Sequence, residues 1–247
     1  METIAIINRK GGVGKTATAL ALGSGLKQRG YSVLYIDLDS QGNLSTGLNA
    51  DTTGLSAMDV LEGIAAPLKA IQHTPQGDIL PASDALAGAD MVIKDTGREY
   101  RLKEAIDGLN YDYIIIDTPA ALGTLTVNAL TAAKSAIVPV QADIDSIHGL
   151  KQLTDVVDRV KKYCNRDLYI NGLLLTRYSG RAVISRNMRD SLEKIAAQLK
   201  TRLYKTPIRE CIAIKEAKTL KQDIFSYAPK SNAAKDYEDF VNEFLDV

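Results

Sequence analysis

The sequence predicts an α/β fold, a mainly parallel twisted sheet with helices on both faces. Three observations predict it. Short apolar runs alternate with helix-forming stretches along all 247 residues, the order that builds parallel sheets from crossover units. The apolar run 3–7 leads through a glycine-rich loop directly into an Ala/Leu-rich helix at 17–26. Two more apolar runs, 32–37 and 113–117, each end in an aspartate, at the sheet edge where such folds bind ligands.

The elements follow in order. Strands are expected at 3–7, 32–37, 78–80, 113–117, 136–140 and 168–175, and helices at 16–29, 101–107, 124–133, 147–162 and 183–199, from apolar periodicity and run length. Gly30-Tyr31 closes the first long helix with a glycine stop. The stretch 49–89 carries Pro67, Pro75 and Pro81 with several glycines, and reads as short helices and loops decorating one domain. No low-complexity linker interrupts the chain, so a single domain spanning 1–247 is expected.

Composition bounds the class. A hydrophobic fraction of 45% and a charged fraction of 24% suit a globular chain, and no apolar run is long enough for a membrane span. The first residues enter a strand at once, which predicts no signal peptide. Cys164 and Cys211 form no disulfide or metal pattern, and His73 and His148 sit in no ligand spacing. A cytoplasmic location is the expectation.

Zero net charge hides an asymmetry. Residues 1–150 carry 11 Lys and Arg against 17 Asp and Glu, whereas residues 151–247 carry 19 against 13. Between 177 and 221 the imbalance sharpens to 12 basic residues against 4 acidic ones. Like charge gathered in one segment suits a polyanion partner, although solvated helix faces produce the same count.

The run Arg9-Lys10-Gly11-Gly12-Val13-Gly14-Lys15-Thr16 carries the chemistry. Glycines let the backbone curl with its N–H groups inward, and the helix that follows adds the positive end of its dipole. In a phosphate-binding loop of this spacing Lys15 reaches the terminal phosphates and the Thr16 hydroxyl ligates magnesium. Asp117, at the end of its strand, is placed to hold magnesium through a water. Asp37 and Asp39, two apart on one strand, face the same way, and two carboxylates there need a cation between them.

Lys10, an extra lysine opening the glycine run, makes the resemblance specific. Lys-Gly-Gly-Val-Gly-Lys-Thr resembles the deviant Walker A motif of the ParA/Soj/MinD group of ATPases, and the chain is most similar to the short ParA/Soj partition type. Residues 35–43, 113–119 and 138–142 resemble the group's acidic motif, Walker B strand and following strand. The resemblance implies a P-loop NTPase that binds ATP and Mg2+ through Lys10, Gly11, Gly12, Val13, Gly14, Lys15, Thr16 and Ala17. It makes Asp39 the residue that orients or deprotonates the attacking water, and Asp37 a support for the magnesium shell. It makes Lys10 a group that reaches across a homodimer to the partner's nucleotide. Three departures stand out: Ala17 replaces a threonine, Ser40 a proline, and Ala120 a second proline.

For DNA, residues 175–181 resemble the family's strand end and loop, and Arg181 matches an arginine used there for sequence-independent contact. A second family arginine is absent, with Ala213 in its place. Arg209, Lys215, Lys218 and Lys221 are candidate substitutes, since phosphate contacts need charge more than exact geometry. At the C-terminus Tyr237, Phe240, Val241, Phe244 and Leu245 share a helical face. The polar side is acidic, unlike the basic membrane helix of MinD-like proteins, so packing on the chain's own core is expected. The resemblance thus implies a partition ATPase: an ATP dimer that holds nucleoid DNA without sequence preference and is released by slow hydrolysis, stimulated by a centromere-binding partner. An ATPase positioned on a protein scaffold and a membrane-cycling ATPase are the other readings.

Overall fold

The computed structural model describes residues 1–179 and 183–246, and only the backbone of residues 144, 147, 148 and 183–188. Eight strands form one sheet in the order β3-β4-β2-β5-β1-β6-β7-β8. They are β1 (Glu2–Ile6), β2 (Val33–Asp37), β3 (Gln72–Thr74), β4 (Gly77–Leu80), β5 (Tyr113–Asp117), β6 (Ser135–Gln141), β7 (Tyr169–Thr176) and β8 (Arg202–Leu203). All pairings are parallel except β3 with β4. The six expected strands are therefore β1, β2, β4, β5, β6 and β7. The two additions are a three-residue polar hairpin arm and a two-residue edge, too short to carry an apolar period.

Among the described residues twelve α-helices connect and cover the sheet: α1 (Lys15–Gln28), α2 (Asn43–Gly47), α3 (Ala57–Leu61), α4 (Pro67–Ala70), α5 (Ala89–Val92), α6 (Arg101–Ile106), α7 (Thr124–Ala132), α8 (Ile144–Tyr163), α9 (Val183–Gln198), α10 (Ile212–Thr219), α11 (Ile224–Tyr227) and α12 (Asn232–Phe244). The central strands are buried on both faces, as parallel strands must be when helices cover both sides. Ala5, Leu34, Ile36, Ile114, Ile116 and Val138 join one apolar cluster with α6, α7 and α8. Their neighbours Ile4, Ile6, Tyr35, Ile115 and Ile137 join another with α1 and α12.

Helix α1 sits close to the sheet because Gly23 lacks a side chain. A Cβ there would lie 2.3 Å from the Tyr35 ring, and one at Gly25 would lie 2.8 Å from Val241 of α12. Tyr237, Phe240 and Val241 of α12 are 2% exposed or less, so the amphipathic C-terminal face packs on the chain's own core. Among the described residues no helix is long and apolar enough to cross a membrane.

Candidate nucleotide site

Strand β1 delivers the chain into the loop at Asn8, which is 2% exposed. The Asn8 side chain donates to the Pro139 carbonyl at 2.6 Å and accepts from the Lys10 N–H at 2.9 Å, fixing where the loop begins. Gly12 (φ 75°) and Gly14 (φ 92°) then adopt left-handed conformations, which a side chain resists. Helix α1 starts at Lys15 immediately afterwards, so its unpaired first N–H groups face the loop.

Parallel pairing of β1 and β2 with β5 aligns Ile6 and Asp37 with Asp117, bringing the strand-end carboxylates beside the loop. The two neighbouring aspartates differ in kind. Asp37 is fully buried and fully engaged: one oxygen accepts from the Ser45 N–H and hydroxyl at 2.8 and 2.7 Å, the other from the Asp39 N–H at 3.1 Å. Asp117 is also fully buried, yet no donor among the described residues meets either carboxylate oxygen in hydrogen-bond geometry, although the Thr16 hydroxyl stands close enough to favour the charged form. Native structures rarely leave such a group orphaned. A magnesium ion with its water shell fits a carboxylate so placed, beside the Thr16 hydroxyl.

Burial, and then the charge of Asp37, push the Asp117 carboxyl up to about 8, against the opposing pull of Thr16 and Lys15. Burial also raises Asp37 to about 6, with Ser45 restraining the rise. Lys15 is 8% exposed. Burial lowers its pKa while the charges of Asp117 and Asp39 favour the ammonium. Asp39 is half-buried and uses one oxygen on the Gln41 N–H at 3.1 Å.

These shifts carry a prediction with a definite sign. Unfolded carboxyls titrate near 4, so between about pH 4 and 8 the folded chain keeps a proton that the unfolded chain has lost. The unfolded state then binds fewer protons, and stability without metal falls as pH rises through that window. Asp117→Asn removes the Asp117 part of the dependence and leaves the smaller part set by Asp37 below about pH 6. In EDTA its melting temperature should exceed that of the parent chain at pH 8, with the gap narrowing toward pH 5; a gap independent of pH would contradict the assignment.

Lys10 meets Asp143, whose carboxylate accepts from its ammonium at 2.6 Å and also caps α8 through the Ser146 N–H at 2.8 Å. Arg9 bonds Gln152 of α8. Asp143, Asn8, Gln141 and Thr176 are site residues that the sequence did not single out. Asn8 precedes the glycine run, and Gln141 and Thr176 fall within the motif segments 138–142 and 175–181, whereas Asp143 had no such signal.

The loop opens on a cleft of about 640 Å³ lined by Gly11, Gly12, Gly14, Lys15, Thr16, Ala17, Asp39, Thr176, residues of α10 and Tyr237 of α12, within the size range of small-molecule sites. The basic segment flanks this cleft. Within it the Arg209 guanidinium donates to both oxygens of Asp236 at 2.5 and 2.9 Å, and its backbone N–H binds the same carboxylate, so its charge is partly offset within the chain. It anchors α12. Arg177 likewise pairs with Glu210 at 2.9 Å. Lys218 and Lys221 donate to Asn43 and Asn49 at 2.8 and 3.0 Å, neutral partners that leave their charge intact. Lys215 is exposed beside the cleft. Arg181 lies outside the described residues.

Comparison with known proteins agrees with this geometry. The family model described as an AAA domain matches residues 1–170. The sporulation initiation inhibitor protein Soj of Bacillus subtilis is 39% identical over 98% of this chain and 97% of its own. The chromosome partitioning protein ParA of Caulobacter vibrioides is 35% identical over 99% of this chain and 94% of its own. A structure of cobyrinic acid a,c-diamide synthase from Mycobacterium smegmatis, with bound ADP and magnesium, superposes with a TM-score of 0.84 at 35% identity, covering 99% of this chain and 94% of that one.

Proposed function

The chain belongs to the AAA domain family and to the ParA/Soj group of partition ATPases, and from that premise we propose how its site works. It binds ATP with magnesium, dimerises around the nucleotide, holds DNA without sequence preference and lets go on hydrolysis. The orphaned carboxylate of Asp117, buried beside Lys15 and Thr16 at the mouth of a glycine-rich loop, is the observation that carries the reading.

Lys10, Gly11, Gly12, Val13, Gly14, Lys15, Thr16 and Ala17 cradle the phosphates, with the loop N–H groups and the α1 dipole supplying the attraction. Thr16 and, through water, Asp117 hold the magnesium, which neutralises phosphate charge. Asp37 supports that shell indirectly, since its own oxygens are committed to Ser45 and Asp39. Asp39 orients the attacking water and takes its proton.

Lys10 acts across the dimer on the partner's nucleotide, where a second cation stabilises charge developing on the transferred phosphoryl group. Its bond to Asp143, a half-buried ion pair, must open for that reach. Joining two subunits also doubles the number of basic residues offered to DNA, the candidates being Arg181, Arg209, Lys215 and Lys218, so a weak monomer contact becomes a useful dimer one. The synthase name of the Mycobacterium smegmatis chain is that protein's own, and the two curated relatives above carry the names Soj and ParA. A cytoplasmic protein, nucleoid-associated in its ATP form and released by a centromere-binding partner, follows. The burial of α12's apolar face leaves no free amphipathic anchor there for a membrane.

Gel retardation on unrelated DNA fragments tests the reading. Retardation should require ATP and weaken steeply with salt, each neutralised phosphate releasing about one counterion. Lys10→Ala should bind nucleotide yet remain monomeric by light scattering with a non-hydrolysable analogue, and lose DNA binding with the dimer. A wild-type ATP dimer that ignores DNA at low salt transfers the case to a protein scaffold.

A further inference from the structure

A loop that turns its N–H groups inward to a phosphate turns its carbonyls outward, where they need donors of their own. Three successive carbonyls find them here. Gln141 Nε2, at the end of β6, donates to the Gly12 carbonyl at 3.0 Å. Thr176 Oγ1, the last residue of β7, donates to the Val13 carbonyl at 2.7 Å. The Gly14 carbonyl takes the Thr18 N–H of α1 at 2.9 Å.

Thr176 is the most constrained of these donors. It is 2% exposed, and its single hydroxyl proton has two carbonyls in reach, Val13 at 2.7 Å and Val140 at 3.1 Å. The shorter distance favours Val13. Its methyl group lies 3.8 Å from the place a Cβ on Gly14 would occupy, so the residue stands directly behind the left-handed turn of the loop.

We infer that Thr176, assisted by Gln141, is a positioning residue for the phosphate loop. Its hydroxyl holds the Val13 carbonyl outward, and this keeps the adjoining N–H groups aimed at the phosphates before nucleotide arrives. Preorganisation of this kind raises affinity by removing an ordering cost from binding. The inference rests on the reading of Lys10–Thr16 as the phosphate cradle.

Two substitutions separate the hydroxyl from the methyl. Thr176→Val keeps the volume and removes the hydroxyl, while Thr176→Ser keeps the hydroxyl and removes the methyl. Titration with a fluorescent ATP analogue should give a Kd about 10-fold weaker for Thr176→Val, the scale of one buried hydrogen bond with its acceptor left unmet. Thr176→Ser should bind and melt like the parent chain, while Thr176→Val should also melt lower, because the Val13 carbonyl it leaves unmet is buried with or without nucleotide. Weaker binding by Thr176→Ser than by Thr176→Val would mean that the residue acts by packing, and equal affinities would mean that it does not act at all; either overturns the inference. If Thr176→Val does not fold, Gln141→Ala decides, since unaltered affinity there shows a loop that needs no brace. A parent chain that binds no analogue fails differently, and removes the cradle reading itself.

Discussion

Lys15→Ala is expected to abolish useful nucleotide binding, with Kd rising by about 100-fold or more. A hydrogen bond from a charged donor to phosphate contributes about 1.5–3 kcal/mol, and Lys15 is 8% exposed, so water is poorly placed to replace it. Its loss has a second effect. The Lys15 ammonium is attracted by Asp117 and Asp39, and without it the Asp39 carboxylate meets the incoming phosphates with no lysine beside it. Repulsion therefore adds to the missing contact. Lys15→Arg should not restore binding, because the larger planar fork does not fit a space shaped for a point charge. The fluorescent-analogue titration reads this directly. A loss smaller than about 10-fold would mean that the loop N–H groups carry most of the phosphate affinity without the lysine.

What the sequence disclosed and what it withheld divide along contact range. The central strands were legible because strands buried on both faces read as unbroken apolar runs, as in Ile114-Ile115-Ile116. The loop was legible because Gly12, Gly14, Lys15 and Thr16 are consecutive along the chain. Its supports were not: Thr176 lies 163 residues beyond the Val13 carbonyl that it meets, and Asp143 lies 133 residues beyond Lys10. The Arg209 pair was hidden for the same reason. Charge density along residues 177–221 is visible in sequence, but the pairing of Arg209 with Asp236, on a helix that returns from the C-terminus, is a tertiary fact. Asp37 and Asp39 share a motif, and alternation predicts one face for both, but β2 ends at Asp37 and Asp39 lies beyond it. Ser45, through its N–H and hydroxyl, engages Asp37 alone.

That distinction underlies the second large effect. Asp39→Ala should leave ATP binding near the parent value and cut turnover by about 100-fold or more, the contribution usual for a positioned general base. Asp37 is unfit for the task because both its oxygens already accept hydrogen bonds from Ser45 and Asp39. Asp117 is unfit because it sits fully buried, with its carboxyl pushed up to about 8. Asp39 is half-buried at the cleft and engages one oxygen locally, so it alone of the three meets solvent and ligand together. The trapped variant should accumulate as an ATP-bound dimer, stay on DNA after nucleotide is washed away, and resist release. Asp39→Asn, which orients water without accepting its proton, should separate the two contributions. If its turnover lies close to that of the parent chain, orientation is the whole of the role; if it falls as far as Asp39→Ala, proton transfer is. Undiminished turnover in Asp39→Ala would remove this carboxylate from the chemistry.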